Sequence, residues 1–141
     1  MKISMDKTIR AMSIALDLAQ TSSKCSNWDH NVVIEDITNV NYSDHRFMHH
    51  SLRTTYIALE ISNQLNLNEE SKKQVYISAL LHDIGAANCL CESHSANSFI
   101  KNHCETGTNI TKSFPYFCDL SNIILYHHEN FDGSGAMNLE K

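Results

Sequence analysis

Apolar residues recur every three or four positions along most of the chain, which is the spacing that places them on one face of an α-helix. Met5–Gln20 shows this pattern throughout. A second apolar face runs as far as Leu65, and Ser43 suits the N-cap of that helix. Residues 67–70 then predict a turn into a third helix, which Gly85 is expected to end.

Two further helices are predicted in the second half of the chain. One covers Phe99–Phe114 and is stopped by Pro115. The last carries apolar residues and two histidines from Leu120 to His128, and the Asp132–Gly135 segment after it favours a turn. Residues 27–41 are mixed in pattern and fit either an ordered loop or a short strand.

The low content of glycine and proline supports the same fold class. Only four Gly and one Pro occur in 141 residues, which favours long helices over a sheet with many tight turns. We therefore expect one domain over residues 1–141, an all-α bundle of about five to six helices.

Composition and charge narrow the class of protein. Apolar residues make up 42% of the chain, enough for a packed core without disulfides. The net charge of −5 argues against binding to duplex nucleic acid, which needs a positive surface. No apolar run approaches the length of a membrane span, and the five cysteines form no zinc-ribbon pattern. We expect a cytoplasmic protein with reduced thiols that does not enter a membrane.

The nine histidines are the most informative feature of the composition. His50, His82, His103 and His127 each extend the apolar face of a predicted helix. Any one of them alone is more often a core residue than a ligand. Four helices that each place a histidine inward can surround a shared metal site, as ligand sites in helical bundles do.

The motifs around these histidines carry a family resemblance. They occur in a fixed order: His50-Ser51-Leu52-Arg53, His82-Asp83-Ile84-Gly85, His103-Cys104-Glu105-Thr106-Gly107, and His127-His128-Glu129 followed by Asp132-Gly133-Ser134-Gly135. In this order and over roughly residues 5–135, the chain resembles the HD-GYP branch of the HD metal-dependent phosphohydrolases. The resemblance implies an HD-domain helical bundle around a His/Asp metal site.

The resemblance also implies the chemistry of that site. Two divalent transition-metal ions (Fe, Mn, Ni or Zn) are expected, with Asp83 bridging them. The implied ligands are His50, His82 and Asp83 for one ion, and His103, His127 and His128 for the other. Asp83 and His82 are the implied catalytic residues, and a metal-bound hydroxide is the implied nucleophile. The implied substrate is a nucleotide or cyclic dinucleotide phosphodiester, with cyclic di-GMP as the type case.

Several positions depart from the HD-GYP pattern. Ala86 and Ala87 follow the His-Asp-Ile-Gly segment, where the family usually has Lys, and Ala136 stands where the GYP motif is expected. Arg46 replaces a Glu that helps to hold a third metal in fuller sites. A further metal-binding Asp, carried by later helices, does not occur before Lys141. We expect a domain that lacks its C-terminal helices and forms a homodimer through the apolar surface left exposed.

Three functions remain open at the level of sequence. The first is an enzyme, a metal-dependent phosphodiesterase. The second is a non-catalytic regulatory module that binds a nucleotide or a partner protein. The third is an iron-binding or redox-sensing bundle, because iron accepts the same ligands. Among the residues that are not implied ligands, we expect Glu129 and Asp132 to fix the final turn. We expect His45 and His49 to form at most a minor chelating pair. His30 and His94 are expected to lie on the surface.

Overall fold

The computed structural model describes residues 4–22, 49–88 and 96–137. Within these ranges the chain forms five α-helices and two short 3-10 helices, and no strand. The α-helices are α1 (Met5–Ser22), α2 (His50–Gln64), α3 (Glu69–Leu81), α4 (Ala96–Ser113) and α5 (Ser121–Leu125). The predicted all-α fold is confirmed. The mixed segment at residues 27–41, which includes His30, lies outside the described residues, and so do His45 and His94.

α2 and α3 form a helical hairpin with a tight connection. Asn66 has a φ of 52°, a left-handed conformation that reverses the chain after α2. The side chain of Asn68 then accepts a hydrogen bond of 2.8 Å from the Ser71 amide and caps α3. The turn predicted over residues 67–70 is therefore shorter than expected, since α3 already begins at Glu69.

α2 begins later than the sequence pattern predicts. His49 has a φ of 53°, so the helix cannot run through it, and the first helical residue is His50. The predicted cap Ser43 lies outside the described residues. The consequence for the site is that His50 is the first residue of its helix rather than an interior one.

α1 packs against both helices of the hairpin and closes the core from one side. The core joins α1 to the end of α3 and to the segment that leads into α5. Its buried residues are Ile9, Leu80, Leu81, Ile84, Phe117 and Leu120. The apolar stripes predicted for α1 and α3 therefore meet in one core.

Gly85 has a different role from the predicted helix cap. α3 ends at Leu81, and among the described glycines only Gly133 has a positive φ. A methyl group at Gly85 would overlap the carbonyl group of His103 and the amide nitrogen of Gly107. Gly85 thus allows the turn after α3 to lie directly against α4, which a larger residue would prevent.

The last helix is also shorter than predicted. α4 ends at Ser113, as expected from Pro115, and a 3-10 turn at Cys118–Leu120 leads into the five-residue α5. His127 and His128 were predicted to lie on this helix, but they follow it in a turn. Across the described ranges, no helix combines the length and apolarity that a membrane span requires.

Candidate metal centre

Four segments of the fold bring six predicted site residues together. His50 is the first residue of α2, His82 and Asp83 directly follow α3, and His103 lies in the middle of α4. The turn after α5 supplies the remaining pair of histidines. The potential ligand atoms form two groups, each within 4.8 Å: the His50 group (His50, His82, Asp83) and the His103 group (Asp83, His103, His127, His128). These groups match the grouping implied by the sequence motifs.

Asp83 lies between the two groups, with one carboxylate oxygen toward each. Oδ2 is 3.5 Å from Nε2 of His50 and 3.3 Å from Nε2 of His82. Oδ1 is 3.6 Å from Nε2 of both His103 and His127. A carboxylate in this position is able to serve both groups at once.

Backbone carbonyl groups fix the orientation of three histidine rings. Nδ1 of His82 lies 2.9 Å from the Ala79 oxygen, and Nδ1 of His103 lies 2.9 Å from the Phe99 oxygen. In the same way, Nδ1 of His127 lies 2.6 Å from the carbonyl oxygen of Ile124. A carbonyl oxygen only accepts, so each Nδ1 carries the proton. In the neutral ring Nε2 then presents a lone pair.

The Nε2 lone pairs of His103 and His127 point at one another and at the Asp83 carboxylate. Nε2 of His103 and Nε2 of His127 are 3.2 Å apart, and neither can donate to the other when both rings are neutral. Nε2 of His50 and Nε2 of His82 are 3.0 Å apart. Without a cation or an added proton between them, the contact between His103 and His127 is repulsive, whereas the tautomer of the His50 ring decides whether His50 donates to His82.

The spacing of the nitrogen atoms fits a shared metal ion. Two imidazole nitrogens at about 2.1 Å from one ion, separated by an angle between 90° and 109°, lie roughly 3.0–3.4 Å apart. The His50–His82 and His103–His127 separations of 3.0 and 3.2 Å fall in this range. Imidazole with carboxylate is a donor set that suits Zn, Fe, Ni or Mn. The residues present therefore fit divalent transition metals.

Burial and charge set the protonation of the site. Burial lowers the pKa of His50 and of His103, and with the help of His127 it lowers the pKa of His128 to about 4. Burial alone would lower the pKa of His82, but hydrogen bonding and charge from Asp83 raise it overall. For Asp83 itself, burial works to raise the pKa, and the neighbouring His127 and His82 rings outweigh it and hold the pKa far below its usual range. Most of the ligand atoms are thus ready for a cation at neutral pH.

The turn after His128 is organised by two acidic side chains. Glu129 accepts hydrogen bonds from the amides of Gly135 and Met137, the latter at 2.8 Å. Asp132 accepts from the Ser134 amide at 3.0 Å and from its hydroxyl at 2.6 Å. Neither acidic side chain belongs to a ligand group, in agreement with the role predicted for them. His49 is exposed and also lies outside both groups, and the proposed His45 pair is outside the described residues.

Two residues outside the predicted ligand set support the site, Gly107 of the His103 motif and Asp17, which the sequence patterns did not single out. Gly107 lies where the turn after α3 crosses α4, one helical turn after His103. Asp17 is only 4% exposed and accepts a 2.7 Å hydrogen bond from the Ser51 hydroxyl, beside His50. The available signal for Asp17 was an acidic residue on the apolar face of α1, four residues after the buried Ser13.

One comparison with known proteins gives a match. The sequence model of the HD domain family matches residues 47–141, which include all six predicted site residues. α1 precedes the matched segment and packs against it. No curated protein and no solved structure matches the chain.

Proposed function

The chain belongs to the HD domain family, a family of metal-dependent phosphohydrolases, and from this premise we propose that it hydrolyses phosphodiesters. One observation carries the proposal. Two oxygens of Asp83 and the Nε2 atoms of four histidines face one another at 3.0–3.6 Å, an arrangement that calls for cations between them. In this proposal Asp83 is a ligand shared by two ions, as the HD-GYP resemblance implies.

The cations and the protein have separate tasks. Divalent ions, when bound, activate water and neutralise the charge of a phosphate group. The protein holds the ligand atoms in place. The carbonyl groups of Ala79, Phe99 and Ile124 keep three rings in the tautomer that presents Nε2. The pKa of His82 is raised by its neighbour Asp83 against the effect of burial, so a cation competes with a proton at this ring.

The proposed substrate is a nucleotide or cyclic dinucleotide, with cyclic di-GMP as the first compound to test. The support is the order of the four motifs and the shape of the site. Side-chain exposure is 33% for His50, and His128 of the His103 group is also exposed, so the centre is open to solvent from both groups. An acidic chain with a net charge of −5 depends on bound cations to attract such an anion.

A second candidate function is a non-catalytic module that binds a nucleotide on the same scaffold. The observation in its favour is Ala86, which is 1% exposed and takes the place of the Lys that usually follows this motif in the HD-GYP branch. A buried methyl group cannot contact a phosphate as a lysine would. This candidate predicts saturable binding of a cyclic dinucleotide without turnover.

One experiment separates the two candidates. The purified chain is loaded with Mn²⁺, and its metal content and its hydrolysis of bis(p-nitrophenyl) phosphate and cyclic di-GMP are measured. Asp83→Asn is the test variant, and Asp119→Asn, an exposed aspartate outside both groups, is the matched control. We expect close to two ions and hydrolysis in the wild type and the control. We expect a loss of activity of about 10³-fold in Asp83→Asn, equivalent to the several kcal/mol that metal ions contribute.

The alternative outcomes are equally specific. Two bound ions with cyclic di-GMP binding but no cleavage of either compound would favour the non-catalytic module. Hydrolysis that persists in Asp83→Asn would rule out the proposed centre, because both groups depend on that carboxylate.

A further inference from the structure

Within the described residues, the segment before α2 provides no side-chain cap for its N-terminus. The preceding residue, His49, is in a left-handed conformation and makes no side-chain capping hydrogen bond. The first turn of α2 also contains no acidic residue. The free amide groups at a helix N-terminus need an acceptor, and the helix dipole favours a negative one. This matters for the site because the first residue of this helix is His50.

α1 supplies the missing acceptor. The Oδ1 and Oδ2 atoms of Asp17 are each 3.3 Å from the Ser51 amide nitrogen, and Oδ1 accepts a 2.7 Å hydrogen bond from the Ser51 hydroxyl. Asp17 is 4% exposed and Ser51 is 1% exposed, so this contact is shielded from water. A charge-assisted cap in such a setting is stronger than a contact on the surface.

The cap acts on the residue next to His50. Thr55, one turn further on, donates to the Ser51 carbonyl oxygen at 2.7 Å, so both sides of the Ser51 backbone are fixed. His50 reaches across to His82, with 3.0 Å between the two Nε2 atoms. A rotation or fraying of the first turn of α2 would change that distance directly.

From these contacts we infer that Asp17 is a positioning residue, which holds His50 against His82 and so sets the cation affinity of the His50 group. The inference rests on the proposed function in one respect, the binding of a cation. Its geometric part, the placement of one ring against another, applies to the metal-free protein as well. Asp17 lies outside the segment that matches the HD domain family, so the family match does not assign it this role.

The charge of Asp17 acts in the same direction as its geometry. Burial lowers the pKa of His50, and among the opposing effects is the charge of Asp17, which therefore reaches the imidazole. A negative field at that point favours a positive ion in the His50 group. An uncharged residue of the same shape would keep the hydrogen bonds and lose this contribution.

The test uses the full chain and titration with Mn²⁺, comparing Asp17→Ala and Asp17→Asn with the wild type. The binding step that disappears in His50→Gln identifies the His50 group. We expect Asp17→Ala to weaken that step by about 10- to 100-fold, as is typical when a residue behind a metal ligand is lost. Asp17→Asn, which keeps an acceptor oxygen, should fall between Asp17→Ala and the wild type. Binding at the His103 group should be unchanged.

Asp6→Asn is the matched control. Asp6 also lies on α1 and ties it to α3 by accepting a 2.6 Å hydrogen bond from the Tyr76 hydroxyl. It is 11 residues from Asp17, about 16 Å along the helix. If Asp17 contributed only to the packing of α1, both substitutions would weaken both binding steps alike, and this result would overturn the inference.

A second measurement does not depend on metal. NMR of the metal-free protein reports the contact between the His50 and His82 rings, whose centroids are 5.0 Å apart. We expect the contact to be lost in Asp17→Ala and kept in Asp6→Asn; an unchanged contact in Asp17→Ala would overturn the inference. A wild type that binds no Mn²⁺ would contradict the proposed function and leave this measurement to decide the inference. If Asp17→Ala does not fold, Ser51→Ala removes the hydroxyl donor and should cause a smaller loss in the same direction.

Discussion

The His50 group and the His103 group share Asp83 but are built on very different supports. His103 lies within α4, with 1% of its side chain exposed, and α4 is in direct contact with the turn that carries Asp83. His50 is at the end of a helix, with 33% of its side chain exposed, and Asp17 of another helix fixes the backbone amide of the next residue, Ser51. His103 is thus held by a backbone crossing, and His50 by a side-chain contact between two helices.

This difference predicts that the two groups differ in their affinity for a metal ion. Ligands on a rigid, buried support lose little entropy when they bind an ion, so we expect the His103 group to bind more tightly. The His50 group, one of whose ligands stands at a helix end, is expected to hold its ion more weakly. The shared carboxylate couples the two, because an ion in one group changes the charge that the other experiences.

The largest expected effect comes from removing one histidine from each group. His103→Gln should weaken Mn²⁺ binding in its own group by more than about 100-fold, since even a residue behind a ligand is typically worth 10- to 100-fold. His50→Gln should remove one binding step and leave the tighter one intact.

Calorimetric or spectroscopic titration of the two variants measures both steps. Phe99 packs on His103 with ring centroids 4.9 Å apart, so circular dichroism should accompany the titration of His103→Gln to establish that α4 is intact. If His50→Gln abolished the tighter step and His103→Gln the weaker one, the proposed order of the two groups would be reversed.

The sequence was a good guide to the helices and to which histidines lie close to Asp83. Helical periodicity identified α1, α3 and α4, and the order of the motifs grouped the six residues as the structure does. In each case the information is local: a spacing of three or four residues, or a short motif. The start of α2 was not predictable in this way, because the left-handed conformation of His49 has no marker such as Gly or Asn.

The contacts between elements could not be predicted from the sequence, for a physical reason. Asp17 and Ser51 are 34 positions apart, and no periodicity within one helix relates them. Gly85 was interpreted as a helix cap because glycine often ends helices, whereas its function is to let two segments approach. Long-range packing decided between these two uses of glycine.

The crossing at Gly85 gives the next prediction. Gly85→Ala would force a methyl group against the backbone of His103 and Gly107, which cannot move without displacing α4. We expect the free energy of unfolding of the metal-free protein to fall by about 2–3 kcal/mol, the upper range for overpacking. Urea unfolding followed by circular dichroism measures this change.

Gly107→Ala is the matched substitution on the other side of the crossing. Its methyl group would meet the Cγ2 atom of the buried Ile124 at 2.9 Å, a contact with a side chain and not with the backbone. Alanine also favours a helix interior over glycine by about 1 kcal/mol, which offsets part of the cost. We expect a change within about 1 kcal/mol. Equal losses in both variants would mean that the crossing does not hold α4 by a backbone contact.

The smallest expected effect is a pH dependence of opposite sign for two of the histidines, His128 and His82. Histidines in the unfolded chain take up protons near pH 6.5. Burial lowers the pKa of His128 to about 4, so its contribution to folding is present above pH 6.5 and is lost as the pH falls toward 4. The pKa of His82 is raised because Asp83 outweighs burial, so its contribution is present below pH 6.5 and is lost as the pH rises through its folded pKa.

Thermal unfolding of the metal-free protein at pH 7 and pH 5 should therefore show a smaller drop in Tm in His128→Gln than in the wild type, and a larger drop in His82→Gln. His49→Gln, at an exposed position outside both groups, should keep the wild-type drop. If His128→Gln and His82→Gln changed the drop in Tm in the same direction, the pKa values of these two histidines would not be shifted in opposite directions as the structure indicates.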